Sequence, residues 1–254
     1  MRVVFIIFSF FFLGGLVTQA QESETFSKTK KQQELESLLF FLKHEFVASS
    51  TSFNLKGYID ARENGKYAFD FIRNKNGFEL IPQPLDTRFG PLKVELDSSS
   101  MLTAYHYKNE KKWRIIGSEY MYRIKDSVVS YHDLSFDCFN WNIGSWLNDE
   151  EVSNRNARVV QLSPAKVQKV FSNYTKAKIY IDEKTQALVK IEYFDQTNFL
   201  LKRLVIIDVF KQDGYWFPQK IRVEAFDKRS LVLAKVNYIV FEQAQKALPP
   251  AFKD

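Results

Sequence analysis

The chain has 254 residues, 36 Lys and Arg against 30 Asp and Glu, a net charge of +6, 16% aromatic residues with 24 Phe among them, and one cysteine. A single cysteine excludes an intrachain disulfide, so the fold rests on its apolar core. The basic excess is mild and spread along the sequence, which argues against a nucleic-acid groove and leaves solubility, or attraction to an anionic membrane face, as its use.

The first twenty residues, MRVVFIIFSFFFLGGLVTQA, place Arg2 before an apolar run that ends in small residues. That pattern is expected to be a secretory signal cleaved after Ala20. The run is shorter than the roughly 20 apolar residues a spanning helix needs, so the rest of the chain is expected to be soluble. In QQELESLLFFLKHEF, Leu35, Leu38, Leu39, Leu42 and Phe46 recur at helical spacing while Glu34, Glu36, Lys43 and Glu45 take most of the other face. One amphipathic helix follows from this. From Thr51 the period switches to two. Leu55, Gly57 and Ile59 share a face with Phe53, and Tyr67, Phe69 and Phe71 do the same after the Glu63-Asn64-Gly65 turn. Strands continue through GFELI, LKVEL, LTAYHY and KKWRII.

The segment SVVSYHDLSFDCFNWN, from Ser127 to Asn142, breaks the alternation. Ser130 with Asp133 three residues on reads as an N-cap and its reciprocal acid. Leu134, Cys138 and Trp141 then share one stripe, with Tyr131 a turn earlier, so a second amphipathic helix over Tyr131 to Trp141 is expected. After it come KAKIYID, ALVKIEYF, LLKRLVIIDVFKQ, YWFPQKIRVEAF and LVLAKVNYIVFEQ, joined by breaks too short for parallel crossovers. They predict a five-strand antiparallel meander. Alternation assigns Ile179, Ile181, Val189, Ile191, Tyr193, Val205, Ile207, Val209, Ile221, Val223, Val236, Tyr238 and Val240 to one apolar face. Lys190, Glu192, Lys202, Lys220, Arg222, Glu224 and Lys235 are expected to mark water on the other. About ten such strands would curl rather than lie flat. The fold class is therefore mainly β: an incomplete, half-open antiparallel barrel, in one domain from residue 21 to 254, with the two helices covering its concave face.

Catalytic chemistry finds few parts. Cys138 and His132 are six apart, on different faces of one continuous helix, and Cys138 reads as a small buried apolar residue. The histidines at 44, 106 and 132 have no metal-ligand spacing. No phosphate loop, dinucleotide fingerprint or GxSxG is present, and Asp133 and Asp137 suit a helix start better than an acid/base pair. An apolar interior that its own side chains do not fill would hold something apolar. An interior simply packed solid is the alternative.

The pattern SYHDLSFDCFNW resembles a motif of the bacterial outer-membrane lipoprotein-sorting family, relatives of the periplasmic carrier LolA. So does the downstream succession Ile181-Asp182, Phe194-Asp195, Asp208, then Gly214, Trp216 and Pro218. The resemblance runs from about residue 32 to 242; the chain departs from it at His132, where the family carries Glu, and at Cys138, where it carries a plainly apolar residue. It implies an incomplete antiparallel barrel that accepts lipoprotein acyl chains, a Gram-negative periplasm and no cofactor; the residues themselves point to no metal and no catalytic residue. The chain is expected to bind lipid or lipoprotein acyl chains as a monomer, with inner- or outer-membrane partner proteins. Expected ligand contacts are Phe69, Phe71, Trp113, Ile191, Tyr193, Val205, Ile207, Ile221, Val223 and Tyr238 on the sheet, with Leu134, Cys138 and Trp141 on the helical cover. The other reading is an envelope sensor or assembly module of the same fold that binds a partner protein.

Overall fold

The computed structural model describes residues 30, 32–42, 44, 53–83, 91–96, 101–108, 111–115, 117–164, 173–212 and 215–242. The signal-sequence expectation, Phe46 and the side chain of Trp113 lie outside the described residues. The chain divides into two compact units, residues 1–39 and 40–254. The first contributes most of a helix, α1 (residues 32–42), in which Leu35, Leu39 and Leu42 are buried and Glu34 and Glu36 exposed.

The second unit is built on strands: β1 (Phe53–Asp60), β2 (Lys66–Asn74), β3 (Gly77–Gln83), β4 (Leu92–Leu96), β5 (Leu102–Lys108) and β6 (Lys111–Arg114). A short helix α2 (Tyr131–Ser135) and a 3-10 turn over Asp137–Asn140 precede β7 (Asn142–Trp146), β8 (Glu150–Val152) and β9 (Arg155–Ser163). The five-strand meander follows as expected: β10 (Lys176–Asp182), β11 (Leu188–Phe194), β12 (Leu200–Gln212), β13 (Tyr215–Asp227) and β14 (Val232–Phe241). All fourteen join one antiparallel sheet that runs in an open path from β6 through β1, β14 and β10 to β9 and β7, with β8 pairing β9 off that path. This is the half-open barrel; its strand count exceeds the sequence reading because β7, β8 and β9, between the short helix and the meander, were not read as strands.

Register decides which side chains face inward. Val160, Ile179, Ile191, Leu204, Val223 and Asn237 stand opposite one another across six strands, all buried. The inward set of β12 is therefore Lys202, Leu204 and Ile206, and that of β14 is Asn237, Ile239 and Phe241. This corrects the sequence assignment by one residue in both strands, and a one-residue slip turns a whole strand over. Val205 instead stands between Lys190 and Arg222, and the Tyr238 ring lies under Lys220 at 4.5 Å and Arg62 at 5.6 Å, on the outer face. A register shift between Tyr180 and Ile181 likewise sends Val189 to a small outer core with Val152, Ala157, Val159 and Tyr180. Beside that core, Glu192 accepts hydrogen bonds from the Tyr180 hydroxyl (2.7 Å) and Arg203 (2.8 Å), so the outer face carries a buried polar network rather than open water.

The inner face is filled. Phe71 lies 5.1 to 5.3 Å, ring centre to ring centre, from Phe78, Phe217 and Phe241, and Phe69 lies 5.7 Å from Phe241. Burying rings of this size is worth on the order of 1.5–3 kcal/mol each. Phe71, Phe78, Phe217 and Phe241, together with Leu134 of α2, line a void of about 20 Å³, close to the room one water needs.

Candidate functional site

Two features stand out: a sealed polar cluster beneath α2, and an open groove at one end of the sheet. The cluster begins with the α2 cap. The Asp133 carboxylate accepts from the Ser130 backbone N–H at 2.8 Å and the Ser130 hydroxyl at 2.9 Å, the capping box read from sequence. The helix is shorter than expected. Phe136 takes a left-handed conformation, φ 52°, and stops it after Ser135, so Tyr131 to Trp141 is not one helix. Redirected by that turn, the chain brings His132 and Cys138 to the same inward ring, Tyr193, with the His132 and Tyr193 ring centres 4.9 Å apart. The expectation that they lie on different faces held only for a continuous helix.

Trp141 at 5.6 Å and Tyr174 at 5.3 Å complete an aromatic box around His132, and neither imidazole nitrogen has a hydrogen-bond partner there. Burial pushes the His132 pKa down, against Asp137 and Asp133, so the ring is neutral. Burial also pushes the Cys138 thiol up to about 12. A neutral imidazole beside a protonated, sealed thiol is not an activated pair; Cys138 packs as a small apolar residue. Among the described residues no group of acids, histidines and cysteine is arranged to hold a metal ion.

Lys202 enters this cluster from β12. Its ammonium donates to Asp133 at 2.6 Å and to the Val128 carbonyl at 2.9 Å. Burial works against its charge, but the Asp133 carboxylate and Tyr174 more than offset that and hold its pKa up. The Asn237 side chain accepts from Val128 N–H at 2.7 Å, and Asn140 exchanges two hydrogen bonds with the Leu102 backbone at 2.8 and 2.9 Å. The helical segment is thus tied to β12, β14 and β5.

The groove arises where β12 parts from β11. Their pairing runs only from Phe194 to Lys190, opposite Leu200 to Val205, while β12 continues beside β13 to Gln212. A register shift around Ile207 turns its side chain out of the ladder. The notch between this ribbon, the β10–β11 turn and the β8–β9 hairpin has a volume of about 830 Å³. Ile206, Ile207, Val209, Phe217 and Pro218 form one wall, Leu188, Val189 and Val152 another, and Phe41 and Leu42 a third. Ile207 is 51% and Phe41 42% exposed. The polar rim is Ser153, Arg155, Asp182, Lys184, Thr185, Gln186 and Asp208. Asp182 is occupied in shaping the turn, accepting from Thr185 N–H at 2.7 Å and Lys184 N–H at 3.0 Å. A volume of this order is that of a small-ligand cleft, roughly 300–1,000 Å³.

Of the expected contacts, Phe69, Phe71, Leu134, Cys138, Trp141, Ile191, Tyr193, Ile221 and Val223 are brought together, buried on the inner face or against it. Val205 and Tyr238 face outward, and Ile207 lines the groove. Leu188, Val189, Phe41 and Pro218 of the groove were not anticipated; the unbroken apolar run Leu204 to Ile207 was the one signal that β12 presents apolar groups on both sides.

A family model described as "Uncharacterized protein" matches residues 92–247. No curated protein matches the chain. Among solved structures, a DUF1329 family protein from Desulfovibrio piger superposes with a TM-score of 0.58 at 16% identity, over 86% of this chain and 95% of that one. A putative outer membrane lipoprotein-sorting protein domain from Vibrio parahaemolyticus gives 0.57 at 15% identity, over 78% and 86%. A LolA superfamily protein from Nitrosomonas europaea gives 0.53 at 15% identity, over 84% and 94%.

Proposed function

From a chain that belongs to the family matched over residues 92–247 and has the LolA-like fold, we propose a binding and carrier protein for apolar chains, the acyl groups of lipids or lipoproteins, acting in the periplasm of a Gram-negative envelope. One observation carries this reading: the open groove of about 830 Å³ walled by Ile207, Val209, Leu188, Phe217 and Phe41. Each methylene moved from water into such a wall contributes about 0.8 kcal/mol, so an alkyl tail supplies enough attraction without a cofactor. Among the described residues the Phe-packed inner face leaves a void of only about 20 Å³, which favours a seat at the barrel's end over one in its interior. The fold neighbour named for lipoprotein sorting supports a carrier role of the same kind.

The test is titration with a dansylated fatty acid. Saturable binding is expected, weakened about tenfold by Ile207→Asp or Val209→Asp, since a carboxylate in an apolar wall must be desolvated. Phe71→Leu, in the filled interior, should leave the affinity unchanged. Absence of saturable binding, or loss through Phe71→Leu alone, overturns the proposal.

A further inference from the structure

At the end of β13 opposite the groove, the turn to β14 and the first two residues of that strand expose three consecutive apolar residues: Leu231 at 70%, Val232 at 56% and Leu233 at 41%. Exposure of one such residue is ordinary; three in a row at an outermost turn is not. The turn is held in shape. Asp227 accepts from Arg229 N–H at 3.0 Å and the Ser230 hydroxyl at 2.9 Å, and Leu231 N–H donates to the Asp227 carbonyl at 2.8 Å. Leu231 is left-handed, φ 58°, a conformation in which glycine or asparagine is the low-cost choice. The chain therefore keeps a strained leucine, pointing outward, where a polar residue would fit the turn better.

The turn and its flanks are rich in cations. The stretch Phe226 to Lys235 carries Lys228, Arg229 and Lys235 against one acid, Asp227. Lys228 is 53% exposed and pairs at 2.5 Å with Asp195 of the neighbouring β11–β12 turn. Beside that turn, Lys176 and Lys178 lie 4.6 and 5.8 Å from the Phe194 ring. We propose that the β13–β14 turn is a membrane-docking tip, Leu231, Val232 and Leu233 entering the interface of an anionic phospholipid bilayer while Lys228 and Arg229 meet its headgroups. A few apolar side chains with adjacent cations suffice for reversible docking on such a surface. Three residues are far too small a patch for a stable protein interface, and a second copy would bring like charges together.

The experiment uses the full chain carrying Leu231→Trp, mixed with phosphatidylglycerol/phosphatidylethanolamine vesicles whose acyl chains are brominated. Bromine should quench the variant's fluorescence at least about twofold more than that of the parent chain, whose own tryptophans, such as the buried Trp141, set the baseline. Lys228→Gln with Arg229→Gln should reduce the extra quenching about tenfold in apparent affinity on anionic vesicles, and little on phosphatidylcholine, by the loss of two headgroup attractions. Roughly 30 Å of extended strand separates the tip from Pro218 in the groove, so these variants should keep dansyl fatty-acid binding and the folded circular-dichroism spectrum. Quenching equal to the parent's overturns the proposal, as does a Leu231→Ser variant that changes the oligomeric state instead of vesicle binding.

Discussion

The Lys202 ammonium lies 2.6 Å from the Asp133 carboxylate with both side chains nearly shut off from water, 9% and 0% exposed. This pair joins the middle of the sheet to the first turn of α2. Removing one member strands the other, at a cost of about 3–5 kcal/mol for a buried pair. Lys202→Met should lower urea-unfolding stability by that amount, and adding Asp133→Asn should restore a large part of it. A loss below about 1 kcal/mol would show that the pair is not sealed.

His132 makes stability depend on pH. Its pKa is ordinarily 6.5 and is lowered in the fold, chiefly by burial, with Lys202 in the same sense and Asp137 and Asp133 opposing. The unfolded chain therefore binds the proton first. Stability is intact above about pH 6.5 and falls, by up to roughly 1.4 kcal/mol per pH unit, as pH drops toward the folded pKa. His132→Phe fits the box of Trp141, Tyr174 and Tyr193 and should flatten the decline between pH 6.5 and 5.5 in chemical denaturation. An unchanged slope would mean that the ring is protonated in the fold.

Glu192 acts in the opposite sense, on the outer face. Burial raises its pKa, but the Tyr180 hydroxyl, Lys190 and Arg203 more than compensate, and it falls below its ordinary 4.5. Its contribution is present above about pH 4.5 and disappears as pH falls through the folded pKa. Glu192→Gln should cost about 1–3 kcal/mol at pH 7, the charged hydrogen bonds being lost, and less at pH 3. Equal losses at both pH values would contradict this account.

Gly77 opens β3 at φ 153°, and a Cβ there would stand 1.9 Å from the Val94 carbonyl oxygen. That neighbour is backbone and cannot rotate aside. Gly77→Ala should destabilise by about 1–3 kcal/mol or more, seen as a lower denaturation midpoint with an unchanged m-value. Full stability in the variant would mean that β3 and β4 can separate there.

The order of the meander was legible from its short breaks, and the β1–β2 faces because their apolar residues keep to one parity, as in Leu55, Gly57 and Ile59. β12 was not. Its run LLKRLVIIDVF is apolar at both parities, so periodicity cannot choose, and the choice falls to Lys202, which turns inward only because Asp133 waits there. β14 inverts with it, Asn237 being buried where a hydrogen bond to Val128 makes that tolerable. The groove was illegible for another reason. It is made from a register shift, two turns and a strand that outruns its neighbour, none of which leaves a periodic trace. Phe136 likewise reads as one more apolar helix residue, and only its left-handed backbone reveals the break that seats Cys138 against Tyr193.

The open path of the sheet leaves two rims. One is β6, the short and strongly cationic stretch KKWR; the other is β7, whose register shifts between Ile143 and Ser145 around a glycine pressed against Gln161. A second copy extending the ladder at the first rim would pair the cationic sequence KKWR with itself, and at the second would meet a kinked hydrogen-bonding line. Among the described residues both ends of the ladder thus carry devices that natural sheets use against edge-to-edge pairing.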